Sequence, residues 1–244
     1  NPAEDIYDRF EEKLFAGHPL TNPILGSVKS VKEITSEELR RFVKEKFVPE
    51  AMAFTIVADI DEKRMEAGLL KLVGKFFADF RPSGNGLVRP ARVELCNVFD
   101  EMISRKTHEA NAVVGGYAPS LYEEKERLAT VLLSNILAGP AMNSILNSIL
   151  REKHGWVYGV ESSYTQYADT GILAISLGCE KENLDRCLAA IDKEILKLQT
   201  QELTERKLNA AKKQLLGQLA ISSDNGEAQC LSMGKSLLAY DKVW

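Results

Sequence analysis

LREKHGWVYGVESSYTQYADTGILAISLG, residues 150–178, changes periodicity twice within thirty residues. It closes NSILNSILREKH (143–154), whose apolar spacing is helical. Gly155 is suited to the left-handed conformation that stops a helix. VYGVESSYTQY (157–167) then alternates as a half-buried strand does, which puts Tyr158, Val160, Ser162 and Tyr164 on one face. GILAISLG (171–178) is apolar throughout and reads as a buried strand. Arg151 falls on the last helical turn and Tyr158 at the start of the strand, so the turn at Gly155 lets both side chains converge.

Outward from this stretch, strands are broken by paired helices. RVELCNVF (92–99) and ANAVVGGY (110–117) read as strands, and LYEEKERLATVLLSNILAG (121–139) as a long amphipathic helix. Three helices follow residue 180: KENLDRCLAAIDKEILKLQ, TERKLNAAKKQLLGQLAI and GEAQCLSMGKSLLAY. Nearer the start, AEDIYDRFEEKLFA (3–16) is helical, with Ile6, Phe10 and Leu14 on one face and Gly17 at its end. HPLTNPILGS is an ordered loop, Thr35 or Ser36 caps a helix that runs to Phe47, and Glu38 completes a capping box with Thr35. AFTIVADI (53–60) reads as a buried strand, and Asp61 caps the next helix. RPSGNGLVRP (81–90) has the composition of a linker. FTIVADIDEKRMEAGLLKLVGKFF and LAISLGCEKENLDRCLAAIDKEIL share one order, an apolar strand, an acidic turn and a helix, which suggests a duplicated module. The order favours α+β with antiparallel sheets over a doubly wound fold.

The 244 residues suffice for two domains. A net charge of −4 argues against a nucleic-acid partner, which would require a basic surface. No apolar run reaches the roughly 18–20 residues of a membrane helix. Cys96, Cys179, Cys187 and Cys230 lack metal-binding spacing and fit small buried positions in a reducing compartment, the cytoplasm, with a periplasmic or other extracytoplasmic location as the alternative. His18, His108 and His154 are the only histidines. His108–Glu109 is followed by Ala112 where a second ligand one turn on would stand, so no metal site is read from this chain.

HPLTNPILG (18–26), SVKEITSEELRRFVKEKFVPEAMAFTIVADID (30–61), LLSNILAGPAMNSILNSILREKHGWVYGV (132–160) and ADTGILAIS (168–176) together resemble the M16 (pitrilysin-like, inverzincin) metallopeptidases. The resemblance implies two M16/LuxS-like α+β modules, each an antiparallel-rich sheet with packed helices, facing each other across a peptide-enclosing chamber. It implies the rear part of a catalytic-type domain over 1–80, a linker over 81–90, and over 91–244 a zinc-free substrate-binding domain that stops short of its C-terminal end. Zinc is then a cofactor of a parent protein whose His-x-x-Glu-His ligands lie upstream of residue 1, and this chain binds none.

The same resemblance assigns Arg151 and Tyr158 as catalytic and substrate-binding residues, with Gly155 forming the turn between them. A phenol can donate to a carbonyl oxygen that becomes an oxyanion, and a guanidinium can hold the peptide backbone. Two stretches depart from the pattern: Pro140 and Ile145 interrupt the usual Gly-rich and Ser-Arg-Leu run, and Glu109 and Asn111 replace the usual Gln and His. The implied partners are a peptide or small-protein substrate and either the missing N-terminal segment or a second M16 subunit with the zinc motif, as a homo- or heterodimer. The alternatives are a non-catalytic or structural core subunit that guides peptides, and a plain peptide-binding module that accepts an added strand.

Overall fold

The computed structural model describes residues 2–59, 61–78, 90–93 and 97–243. In chain order these form α1 (Pro2–Leu14), α2 (Val28–Glu33), α3 (Ser36–Lys46), α4 (Glu62–Phe76), β1 (Glu109–Ala118) and α5 (Glu124–Ala138). A seven-residue π-helical segment (Asn147–Lys153) follows, then β2 (Val157–Gln166), β3 (Gly171–Glu180), α6 (Leu184–Thr200), α7 (Glu205–Ser223) and α8 (Gly226–Tyr240). The class is α+β. The caps read from the sequence form: Thr35 accepts from Glu38 N while the Glu38 carboxylate accepts from Thr35 N. Those bonds hold the Glu38 carboxyl below its usual range. Asp61 caps α4 by accepting from Arg64 N.

The sheet has the order β1-β3-β2 and is antiparallel throughout. Its central strand β3 is the most apolar, because both faces are covered along part of its length. On one face Ile175, Leu177 and Cys179 pack with Leu146 and Leu150, with Leu137 and Ala138 of α5, and with Cys187 and Ile191 of α6. On the other face Ile172 and Ala174 pack against Phe10, Leu14 and Phe15 of α1 and the residues just after it. The C-terminal carbonyls of α1 would otherwise lack partners. Asn97 donates from Nδ2 to Leu14 O and Ala16 O, both at 2.9 Å, and the Tyr117 hydroxyl also donates to Leu14 O.

Contacts group the chain into two units, residues 1–26 with 90–215, and residues 27–89 with 216–244. The first unit holds the sheet. In the second, the strand expected over AFTIVADI does not form across its described residues, 53–59. These residues have no ladder partner there; Thr55 instead donates from Oγ1 to Cys230 O of α8 at 2.9 Å, and the Cys230 thiol donates to Thr55 O. A strand requires a neighbour for its amides and carbonyls, and apolar composition alone supplies none. RVELCNVF is likewise not a strand over its described residues 92–93 and 97–99. Residues 81–89 of the expected linker, and Cys96, lie outside the described residues.

Candidate functional site

The turn between the π-helical segment and β2 presents Arg151 and Tyr158. Leu146 and Leu150 are fully buried on the sheet-facing side of the helical stretch, which leaves Arg151 on its exposed side. The widened geometry persists to the end: His154 N donates to Ile149 O at 3.2 Å, and Trp156 N reaches back to Leu150 O at 2.9 Å. Gly155 adopts φ +61, the left-handed conformation that L side chains avoid, and its amide donates to Arg151 O. His154 stacks on Trp156, with ring centroids 4.1 Å apart.

β2 begins with an irregularity that the alternating sequence does not announce. Val157 pairs with Cys179 and Gly159 with Gly178, so Tyr158 is the extra residue of a β-bulge. A bulge re-aims a side chain and resets the alternation. Val157 and Val160 are both buried whereas Tyr158 is 61% exposed. The expectation that Tyr158 shares a face with Val160 is therefore corrected: the bulge turns the phenol out of the core.

Tyr158 is turned toward carboxylates. Glu109 and Glu180 are direct cross-strand partners on β1 and β3. An ideal Cβ at Gly178 would fall 2.5 Å from Glu109 Oε1, so the absence of a side chain at 178 admits that carboxylate to the surface of the sheet. Local desolvation, then the negative charge of Glu180 and Glu109 and a hydrogen bond to Glu180, raise the Tyr158 phenol above its ordinary value.

A buried polar cluster lies behind the turn. Asn147, the first residue of the π-helical segment, donates from Nδ2 toward Ser144 Oγ (2.9 Å), Gly139 O and Val160 O (both 3.3 Å). Ser134 of α5 bonds to Ser162 Oγ (3.0 Å) and donates to Ser162 O (3.2 Å). Sequence reasoning missed Asn147 and the Glu109–Glu180 pair. The one available signal was an asparagine standing at an apolar position of NSILNSIL.

His18 accepts from Leu20 N at Nδ1, and its Nε2 lies 3.1 Å from Asp169 Oδ2. His108 is exposed. Among the described residues no three His, Cys, Asp or Glu side chains are grouped so as to hold a metal, so the described residues do not fit a zinc site. No helix among them is long and apolar enough to cross a membrane.

Residues 33–215 match the profile of the peptidase M16 inactive domain. The chain belongs to the M16 peptidase family. Its relatives include an uncharacterized zinc protease of Streptomyces coelicolor, 26% identical over 242 residues that make up 98% of this chain and 52% of the relative. Another is the uncharacterized zinc protease YmxG of Bacillus subtilis, 24% identical, with 99% of this chain and 57% of the relative covered. The M16 chain thus spans little more than half the length of these relatives. The fold matches the crystal structure of a peptidase M16 inactive domain from Pseudomonas fluorescens, with a TM-score of 0.76 and 21% identity, over 99% of this chain and 56% of that one. It also matches a chain of Complex III2 from Candida albicans, with a TM-score of 0.74 and 17% identity, over 100% and 58% of the two chains.

Proposed function

We propose that this chain is the zinc-free portion of an M16 metalloendopeptidase that hydrolyses extended peptides in a two-domain chamber, and that Arg151 and Tyr158 are its contribution to substrate binding and transition-state stabilisation. The carrying observation is the β-bulge, which exposes Tyr158 while Val157 and Val160 beside it are buried. A tyrosine with only a packing role would not need to be turned outward at a break in the ladder. A phenol holds its proton in the neutral range and can donate it to an oxyanion. Arg151 adds a permanent positive charge and a planar set of donors suited to peptide carbonyls. The names of the zinc-protease relatives support a zinc-dependent parent, whose ligands would come from residues outside this chain.

The test is peptide hydrolysis by the full-length protein. Tyr158→Phe and Arg151→Ala should each lower kcat/KM by roughly 100- to 1,000-fold, the usual loss for one oxyanion donor, with zinc content unchanged. Wild-type rates in both variants would overturn the assignment.

A second reading is a non-catalytic partner or structural core subunit that binds or guides peptides. The match of residues 33–215 to the peptidase M16 inactive domain favours it. Full-length protein that binds peptides and never cleaves them, alone or with a zinc-bearing partner subunit, would select this reading.

A further inference from the structure

We infer that Asn147 is a positioning residue for the Arg151–Tyr158 pair: its side-chain amide fastens the helical segment that carries Arg151 to the strand that carries Tyr158. The inference rests on the proposed role of that pair. Asn147 lies four residues before Arg151, and its partner Val160 lies two residues after Tyr158. Between the two ends of this bond the chain makes its π-helical exit, its left-handed turn at Gly155 and its β-bulge. Each of these departs from regular geometry, and only tertiary contacts can hold them in register.

The orientation of the amide is fixed by chemistry. Gly139 O and Val160 O can only accept, so the NH2 group, not the carbonyl oxygen, must face them. Asn147 is 8% exposed, so these bonds form away from water, where loss of a partner is most costly. Asn147 lies in the first turn of the helical stretch and faces the core, where an apolar side chain such as the larger leucine is ordinarily found. The amide instead reaches the strand carbonyl behind Tyr158, a bond that an apolar side chain could not make.

The Ser134–Ser162 bonds provide the control. They tie α5 to the same strand, are part-buried, and lie farther along it from Tyr158. In the full-length protein Asn147→Leu should lower kcat roughly 10- to 100-fold with little change in KM, the scale on which displacements of order 1 Å act. Ser134→Ala should keep kcat within about twofold at a comparable loss of thermal stability. Asn147→Ser, which retains one donor, should fall between wild type and Asn147→Leu, and it decides the matter if the leucine variant does not fold. In an Arg151→Ala/Tyr158→Phe background Asn147→Leu should change the residual rate by less than about twofold, because a residue acting through the pair has nothing left to position. Wild-type kcat in the Asn147 variants, or a loss that matches Ser134→Ala at equal stability, would overturn the inference. If Arg151→Ala and Tyr158→Phe themselves leave cleavage intact, the proposed role of the pair fails instead.

Discussion

The described residues of 53–59, from AFTIVADI, and Gly171–Glu180 are both apolar, both precede an acidic turn and a helix, and they end in opposite states. β3 has a hydrogen-bonded neighbour on each side, and its side chains Ile172, Ala174, Ile175 and Leu177 are all buried. Phe54, Ile56 and Val57 are 61%, 37% and 43% exposed, and Thr55 bonds to α8 instead of to a strand. The helices after them, α4 and α6, both form. A helix satisfies its own backbone, so it needs only local sequence and a cap. A strand takes its partners from elsewhere in the chain, and only one of the two stretches finds them among the described residues.

The largest effect expected from this contrast is in side-chain deletion. Ile172→Ala, in the interior of β3, should cost about 2–5 kcal/mol in urea unfolding of this chain. Ile56→Ala should stay within about 0.5 kcal/mol, as for a surface substitution. Equal losses would mean that 53–59 is as well packed as β3, and the comparison would break. Amide exchange sharpens it: the amides of Gly171–Glu180 should exchange roughly a thousandfold more slowly than those of 53–59, since the former open only with the whole unit.

Glycines in the two regions should respond with opposite signs. Gly155→Ala must place a Cβ at φ +61, and should destabilise by about 1–2 kcal/mol. Gly68→Ala, inside α4 with open space around the new methyl, should stabilise by about 0.5–1 kcal/mol. A thermal melt of each variant compares them directly.

The remaining effect is in pH. Burial, then the neighbouring Cys187 thiol, pushes the Cys179 thiol up to about 11. A folded-state value above the unfolded one means that its contribution is complete below about pH 9 and is lost as pH rises toward 11. The urea midpoint should therefore fall over that interval, and Cys179→Val should make the fall shallower. An unchanged slope would show that Cys179 does not contribute to it.

Much of the local structure was legible because it depends on near neighbours. Thr35–Glu38 and Asp61 signal helix starts through bonds three residues long, and Gly155 signals a stop because few other residues tolerate its conformation. The bulge at Tyr158 was not legible. Period-two alternation through VYGVESSYTQY is a complete explanation of those letters, and the register slip exists only relative to Cys179 and Gly178 on another strand. Asn147 was passed over for a similar reason: its three acceptors lie 3, 8 and 13 residues away, and no helical or strand period joins them. The candidate residues Arg151, Gly155 and Tyr158 could be named, through the family resemblance that their motif carries. The direction of the phenol and the bond that ties the turn together could not.

The sequence by itself determined the capped starts of α3 and α4, the α+β order of strands and paired helices, and that an arginine and a tyrosine flank a glycine turn. Tertiary structure alone decided which apolar stretch became a strand, which residue was squeezed out of the ladder, and which carboxylates came to face it. The reason is the range of the forces involved. Capping, periodicity and backbone sterics act within a turn or two of chain, whereas strand pairing and burial are properties of whatever the fold brings alongside.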